Sequence, residues 1–209
     1  MKVSRQQRRL VAVAGIAAAV FVALTVVVCT SSSLELDARA FTIARDLRAP
    51  WLTHVARILT TFGLIAIAGP AVLIAAGLLA RAGHRARAIA LLAGAALTWA
   101  TVWITKWAVD RPRPPSPIVH TSGQSYPSGH AANAVAWLAL AIGLGALVRT
   151  RRARGIAIAL GGALTVIVGL TRVYLRAHYA SDVIGGYALA VTVYALAALV
   201  VERRVTRIG

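Results

Sequence analysis

Acidic residues and cysteine are almost absent from this chain, and charged residues of any kind are scarce. Only 6 of the 209 residues are Asp or Glu, and 14% are charged, where a soluble domain carries about 25%. Cys29 is the single cysteine, which excludes an internal disulfide and any cysteine-based metal site. The carboxylates are too scattered to form the oxygen cluster that binds Mg²⁺. With 59% hydrophobic residues, the composition instead indicates an integral membrane protein.

Positive charge is abundant by contrast, with a net charge of +17. Such a charge is typical of nucleic-acid-binding proteins. Here, however, the cations lie in short clusters between long apolar stretches. We therefore expect the lipid bilayer as a partner and no nucleic acid.

Six apolar stretches are long enough to cross a bilayer, which takes about 20 residues each. They are Leu10–Cys29, Leu52–Ala80, Ala88–Trp107, His130–Val148, Gly155–Tyr174 and Asp182–Val201. The sequence thus predicts an all-α, polytopic membrane protein, with six transmembrane helices in one bundle and a single domain over residues 1–209. The first stretch exceeds the usual apolar core of a signal peptide, so we expect it to be retained. Gly161-Gly162 and Gly185-Gly186 are expected to permit close helix packing.

The basic residues predict the orientation of these helices. Of the 23 Lys and Arg residues, 14 lie at one set of helix ends, together with Glu202 as the only acid there. They are Lys2, Arg5, Arg8, Arg9, Arg81, Arg85, Arg87, Arg149, Arg151, Arg152, Arg154, Arg203, Arg204 and Arg207. The positive-inside rule places these ends, and both termini, in the cytoplasm. The protein would then be a multi-pass protein of the cell membrane.

The segment between the first two stretches has two interpretations. Leu36, Ala40, Ile43, Leu47 and Trp51 recur at roughly helical spacing among charged residues. This pattern favours an amphipathic helix along the outer interface, and a solvated connector is the alternative. Residues 1–51 would then hold the first transmembrane helix and this segment.

Three short segments outside the cytoplasm carry the polar residues that suit chemistry. The first contains Lys106 and the proline-rich tract Arg111-Pro112-Arg113-Pro114-Pro115. Prolines restrict the backbone, so the tract can hold guanidinium groups in place, and arginine binds phosphate oxygens with a planar fork. Alternatively, Lys106 is an interfacial anchor and the tract a loop that contacts lipid head groups.

The second segment is Pro127-Ser128-Gly129-His130, directly before an apolar stretch. Ser128 is predicted as a helix N-cap, and a helix start with free amides is a ready anion site. Gly129 lets a bound anion approach the backbone, and His130 would project from the first turn. A capped helix with an interfacial histidine is the alternative.

The third segment contains Thr171-Arg172, His178 and Asp182. On a helix, His178 and Asp182 would share a face. A carboxylate on one ring nitrogen would orient the other nitrogen as a nucleophile or base. A structural His–Asp pair is the alternative.

Taken in order, these segments resemble the type 2 phosphatidic acid phosphatase (PAP2) family. Its signature is Lys-x6-Arg-Pro, then Pro-Ser-Gly-His, then Ser-Arg-x5-His-x3-Asp. Lys106 and Arg113-Pro114 have the first spacing, the second motif matches at every position, and Thr171 replaces the serine of the third. The resemblance covers about residues 52–201.

The resemblance implies a role for each motif residue. His178 would attack phosphorus and form a phosphohistidine, Asp182 would orient it, and His130 would protonate the leaving group and then activate water. It implies no metal and no cofactor. The groups implied to bind the phosphate are Lys106, Arg113, Ser128, Gly129 and Arg172, with Thr171, Arg111 and Tyr126 as accessory candidates.

The leading hypothesis is therefore a metal-independent lipid phosphatase at the extracytoplasmic membrane face. Candidate substrates are a polyprenyl diphosphate such as undecaprenyl diphosphate, phosphatidylglycerol phosphate and phosphatidic acid. A phosphotransferase with a lipid acceptor would use the same phosphohistidine. A small transporter or structural membrane protein is the hypothesis from another class. The sequence leaves the choice of lipid and the oligomeric state open.

Overall fold

The structure is a computed structural model that describes residues 4–31 and 34–208, with side chains through Arg204. Lys2 and the side chain of Arg207, both counted above as cytoplasmic, lie outside the described part. Within that part the chain forms eight α-helices and no strand. They are α1 (Arg5–Thr30), α2 (Glu35–Asp46), α3 (Pro50–Thr60), α4 (Ile65–Arg81), α5 (Arg85–Val109), α6 (Gly129–Leu144), α7 (Arg151–Tyr174) and α8 (Ala180–Ile208). The all-α prediction is confirmed.

Each predicted apolar stretch is helical, but two of them are not simple spans. Helices α1, α5, α7 and α8 are long and apolar enough to cross a membrane. The second stretch is divided into α3 and α4, which meet at a 48° bend and count as a fifth span only if taken together. Helix α6 has 16 residues, or about 24 Å at 1.5 Å per residue, short of a hydrocarbon core of about 30 Å. Six spans therefore stay a prediction.

The break between α3 and α4 packs against the start of α6. Residues Thr61–Gly63 form a 3₁₀ turn, and extended backbone at Leu64 ends it. Two carbonyls of the turn accept hydrogen bonds from α6: Trp137 Nε1 donates to Phe62 O at 2.8 Å, and Asn133 Nδ2 donates to Gly63 O at 3.2 Å. A break in a membrane helix is tolerated when protein groups satisfy the freed backbone, and α6 supplies them here.

The segment after α1 is helical over Glu35–Asp46, whereas Trp51 of the predicted apolar stripe lies in α3. Its position along the outer interface stays a prediction. Helix α2 packs against α7 and α8. Its apolar residues Leu36 and Ile43 are exposed, whereas Asp37 and Ala44 are buried against the bundle. The helix therefore buries a polar and small-residue face and leaves its large aliphatic residues outward, as expected for a helix beside lipid.

Glycines allow α8 to approach the segment before α6. A Cβ at Gly186 would lie 2.6 Å from Ser128 O, and one at Gly185 would lie 2.5 Å from the Tyr126 ring. At Gly161 on α7, a Cβ would lie 2.7 Å from Trp137 O. Close packing at both glycine pairs is confirmed, although Gly162 has ordinary room, with nothing nearer than 3.9 Å.

We expect Gly186→Ala to lower thermal stability, because the added methyl would collide with the Ser128 carbonyl. Overpacking of this kind costs about 1–3 kcal/mol. Gly162→Ala is the matched control, since its methyl would fit without displacement. Thermal unfolding of both variants in detergent, followed by tryptophan fluorescence, checks the difference. Equal transition temperatures would contradict this account of the packing.

Candidate active site

Backbone hydrogen bonds join the three motif segments at one end of the bundle. Ser128 N donates to Asp182 O at 2.9 Å, which ties the second motif to the third. Ser125 N donates to Arg111 O at 2.8 Å, which ties the loop just before the second motif to the proline-rich tract. The site is therefore assembled from the end of α5, the start of α6, the end of α7, the start of α8 and the loop over residues 110–128.

His178 lies in the short connection between α7 and α8, and its side chain is 2% exposed. Its Nδ1 lies 3.4 Å from Asp182 Oδ2, and its Nε2 lies 3.2 Å from Arg113 Nη1. Because a guanidinium can only donate, Nε2 must accept, and we assign the ring proton to Nδ1, facing Asp182. This tautomer leaves the Nε2 lone pair directed towards the cationic side of the site.

The surroundings of His178 keep its ring neutral. Burial lowers the pKa of His178 from 6.5 to about 4, the hydrogen bond and charge of Asp182 offset part of this, and Arg172 and Arg113 lower it further. At neutral pH the imidazole therefore carries a lone pair and no charge. This is the state in which a histidine is a nucleophile.

Asp182 is fully buried and is held by other groups besides His178. Its Oδ1 accepts from Arg111 Nη1 at 2.6 Å, and its Oδ2 accepts from the backbone N–H of Tyr179 at 2.9 Å. A buried carboxylate needs such partners, because desolvation alone would neutralise it. The hydrogen bonds fix the oxygen that faces His178.

Arg111 is therefore not free to bind phosphate, as its accessory role would require. Its Nη2 donates to Asp37 Oδ2 at 2.9 Å, its Nη1 donates to Asp182 and to Ser181 Oγ, and its guanidinium lies 4.1 Å from the centre of the Tyr179 ring. The sequence contains two Arg-Pro pairs, and in the structure their two arginine side chains face different groups. Arg113 faces His178, whereas Arg111 faces the carboxylate behind it.

Arg113 and Lys106 are both tied to the loop before Pro127. Arg113 Nη2 donates to Ser122 O at 2.7 Å, and its Nη1 donates to Ala177 O at 2.9 Å. Lys106 Nζ donates to Gln124 O at 2.5 Å. Carbonyl groups thus hold both cations without neutralising them, which leaves their charge available to an anion, and Arg113 is the one in contact with His178.

Arg172 is the third cation of the site, and it is buried. Its Nη1 donates to Thr60 Oγ1 at 2.9 Å, across to the end of α3. Its Nε is buried and has no hydrogen-bond partner in the described part of the chain. A buried guanidinium N–H without a partner is costly, and a phosphate oxygen would relieve that cost.

The Pro127–His130 segment begins α6 as predicted. Ser128 is the N-cap, and its Oγ accepts from Ala131 N at 3.4 Å. His130 lies in the first turn, close enough to the cations of Arg172, Arg113 and Lys106 to interact with their charges. Within the described residues its ring nitrogens have no hydrogen-bond partner, so they are open to a ligand.

Gly129 has more room for a side chain than Gly185 or Gly186. An added Cβ would meet nothing nearer than Val102 Cγ1, at 3.8 Å. The protein alone therefore does not require glycine at this position.

The other two accessory candidates have hydrogen-bond partners within the protein. Thr171 Oγ1 donates to Val168 O at 2.6 Å within its own helix. Tyr126 is fully buried, and its hydroxyl lies 2.9 Å from Thr25 Oγ1 on α1. Both residues serve packing in this structure, Thr171 within α7 and Tyr126 between α1 and α8.

Sequence reasoning missed four residues that support the site: Asp37, Thr60, Tyr179 and Ser181. Thr60 and Ser181 carry no signal beyond a hydroxyl in an apolar stretch. Asp37 carries a stronger sequence signal, because it shares a helical face with Phe41 and Ala44, the residues of α2 that pack inward. An acid on the buried face of an amphipathic helix requires a partner.

No group of three or more His, Cys, Asp or Glu side chains that could hold a metal ion occurs in residues 4–31 and 34–204. The two buried acids of the site, Asp37 and Asp182, are bridged by Arg111. The cations of Lys106, Arg113 and Arg172 are the groups available to a phosphate.

Comparisons with known proteins point to one family. Residues 87–206 match the family model described as the PAP2 superfamily. Phosphatidylglycerophosphatase B of Bacillus subtilis (strain 168) is 29% identical over 180 residues, which cover 84% of this chain and 88% of that protein. The match to the family model contains all three motif segments but not α2.

Two solved structures share the fold. A crystal structure of a transmembrane PAP2-type phosphatidylglycerolphosphate phosphatase from Bacillus subtilis has a TM-score of 0.81 at 25% identity, covering 94% of this chain and 97% of the other. Aquifex aeolicus LpxE has a TM-score of 0.59 at 18% identity, covering 82% and 97%. The second likeness is one of fold alone.

Histidine titration tests the assigned state of His178. In ¹⁵N-histidine NMR spectra of the protein in detergent, we expect the His178 ring to stay neutral until the pH falls to about 4, with the proton on Nδ1, because burial disfavours the charged form. A His178→Asn variant identifies the signal. A midpoint near 6.5, or a proton on Nε2, would contradict the assignment.

Proposed function

This chain belongs to the PAP2 superfamily and is a multi-pass membrane phosphatase, and on that basis we propose that it hydrolyses a lipid phosphate monoester through a phosphohistidine at His178. The observation that carries the proposal is the placement of His178 Nε2 beside Arg113, with Nδ1 on the buried Asp182. A neutral imidazole with a carboxylate behind it and cations in front suits attack on a bound phosphate.

The first step forms one bond and breaks one. The Nε2 lone pair of His178 attacks phosphorus, and the bond between phosphorus and the lipid oxygen breaks. A protonated His130 delivers its proton to that oxygen, so the lipid leaves as an alcohol. The charge of the bound phosphate favours the protonated ring of His130, and Asp182 stabilises the charge that forms on His178.

The second step returns the enzyme to its starting state. His130, now neutral, takes a proton from a water molecule whose oxygen attacks phosphorus. The bond between phosphorus and Nε2 breaks, and inorganic phosphate leaves. Lys106, Arg113 and Arg172 bind the non-bridging oxygens in both steps and stabilise the charge that redistributes over them.

Phosphatidylglycerol phosphate is the first substrate to test, because the name of the Bacillus relative and the description of the Bacillus crystal structure both refer to it. Polyprenyl diphosphate and phosphatidic acid complete the panel of lipids to be tested.

We place the site on the extracytoplasmic face, with six spans and both termini in the cytoplasm. The opposite helix ends hold 14 of the 23 basic residues, and such ends face the cytoplasm.

Removal of the proposed nucleophile should abolish turnover. We expect His178→Ala to lower the rate of phosphate release from phosphatidylglycerol phosphate by roughly 10³-fold or more, since no other group replaces the attacking nitrogen. His54→Ala is the matched control, because His54 is exposed and lies outside the site. Both variants are compared with the parent protein in mixed detergent micelles. Undiminished activity in His178→Ala would rule out the mechanism.

Cysteine labelling tests the orientation. Cys29 is exposed, so the background is Cys29→Ser. In this background, we expect Ser122→Cys to react with a membrane-impermeant maleimide on intact cells, because Ser122 lies in the loop that holds Arg113. Ala82→Cys, in the turn between α4 and α5, should react only after lysis. The reverse pattern would overturn the proposed topology.

A further inference from the structure

Asp37 is a buried acid that none of the three motifs contains. It lies on α2, outside the residues that match the family model, and its side chain is 5% exposed. Its Oδ1 accepts from the backbone N–H of Ser181 at 2.8 Å, and its Oδ2 accepts from Ser181 Oγ at 2.8 Å and from Arg111 Nη2 at 2.9 Å. All of its partners therefore lie beside Asp182, at the start of α8 and in the proline-rich tract.

The hydrogen bonds form a continuous chain from α2 to the proposed nucleophile. Asp37 holds Arg111, Arg111 Nη1 donates to Asp182 Oδ1 at 2.6 Å, and Asp182 Oδ2 lies 3.4 Å from His178 Nδ1. Arg111 also donates to Ser181 Oγ at 2.8 Å. Two residues, Arg111 and Asp182, thus separate Asp37 from His178 along this chain of contacts, although Asp37 is far away in sequence.

The division of the guanidinium between two carboxylates affects the orientation of Asp182. An isolated Arg–carboxylate pair is frequently bidentate, with two N–H groups on two oxygens. Here Asp37 takes Nη2, so Arg111 offers Asp182 only Nη1 and engages only Oδ1. The second oxygen, Oδ2, remains for His178 Nδ1 and the Tyr179 N–H.

Charge supports the same conclusion. Asp37 and Asp182 are the buried acids among the described residues, and Arg111 bridges them. The bridged group of three carries one net negative charge, which faces His178 through Oδ2. Without the charge of Asp37, Arg111 would neutralise Asp182 alone, and the support for a cationic phosphohistidine would weaken.

Docking of α2 does not depend on Asp37 alone. The Phe41 ring of the same helix lies 5.6 Å from the Tyr179 ring, and the Arg176 guanidinium lies 4.9 Å from the centre of the Phe41 ring. Ala44 is buried beside Tyr174 and Leu175. Because apolar and cation–π contacts also fasten the helix, the ion pair of Asp37 can be changed while α2 retains other anchors.

We propose that Asp37 is a positioning residue for the phosphoryl-transfer reaction: it divides the Arg111 guanidinium so that Asp182 Oδ2 stays directed at His178 Nδ1. This inference rests on the proposed role of His178 as nucleophile. It makes the interfacial helix α2 a part of the catalytic apparatus.

The test compares two amide substitutions on α2. Asp37→Asn keeps the size of the side chain and an acceptor for Ser181 N, but removes the charge that holds Arg111. We expect kcat for phosphatidylglycerol phosphate to fall roughly 10- to 100-fold, as when the support of a catalytic group is lost. KM and the inhibition constant of inorganic phosphate should stay within about twofold, because the phosphate-binding cations are not touched.

Glu35→Gln is the matched control, because Glu35 is exposed on the same helix and pairs with Arg39. It should leave kcat and KM unchanged. Asp37→Glu retains the charge, so its kcat should lie between that of Asp37→Asn and that of the parent protein. A kcat in Asp37→Asn equal to that of Glu35→Gln would overturn the proposal.

A second readout separates this inference from the proposed function. The ¹⁵N signal of His178 Nδ1 should shift in Asp37→Asn and not in Glu35→Gln, whether or not a lipid is turned over. An unchanged signal would overturn the positioning role of Asp37. If the parent protein and His178→Ala release phosphate equally from every lipid of the panel, the proposed function fails instead.

Should Asp37→Asn not fold, Asp37→Glu is measured in its place. A kcat equal to that of the parent protein, together with an unshifted His178 Nδ1 signal, would then overturn the proposal.

Discussion

The site depends on one buried carboxylate, at the end of the bundle where the three motif segments meet. Asp182 has no exposed surface, and burial of a carboxylate is unfavourable unless hydrogen bonds and a cation compensate. Arg111, the Tyr179 N–H and His178 provide that compensation. Arg111 belongs to the proline-rich tract, and His178 and Tyr179 belong to the connection between α7 and α8. The requirement to satisfy Asp182 therefore draws these two segments together. The orientation of His178 follows from the same requirement.

The second constraint is the need to place polar groups at the edge of an apolar bundle. The break between α3 and α4 places polar backbone groups at this edge. The freed carbonyls of Phe62 and Gly63 accept hydrogen bonds from side chains of the short helix α6. The absence of a side chain at Gly63 lets the turn contact His130, since an added Cβ would lie 2.8 Å from His130 Cβ. The irregular backbone is thus satisfied by protein and adjoins the residues that are proposed to bind phosphate.

Much of the site could be predicted from the sequence, because motif spacing and charge distribution are local properties. Ser128 as N-cap follows from such a signal, and the structure contains it. His178 and Asp182 are paired as expected, but His178 lies in the connection before α8 and the two do not share a helix. The helix break could not be predicted, since mean hydropathy does not register a single extended residue at Leu64. The partners of Arg111 were also hidden: whether an arginine faces a ligand or a distant acid such as Asp37 is decided by tertiary packing, which sequence spacing does not contain.

The central claim is that phosphorus is bonded to His178 during the reaction. The most direct measurement is a rapid quench of the enzyme with lipid carrying ³²P in its terminal phosphate, followed by peptide mapping under alkaline conditions that preserve phosphohistidine. The account predicts a label that is stable to alkali, labile to acid and located on the peptide that contains His178. Label on a different residue, or turnover that never labels the protein, would contradict it.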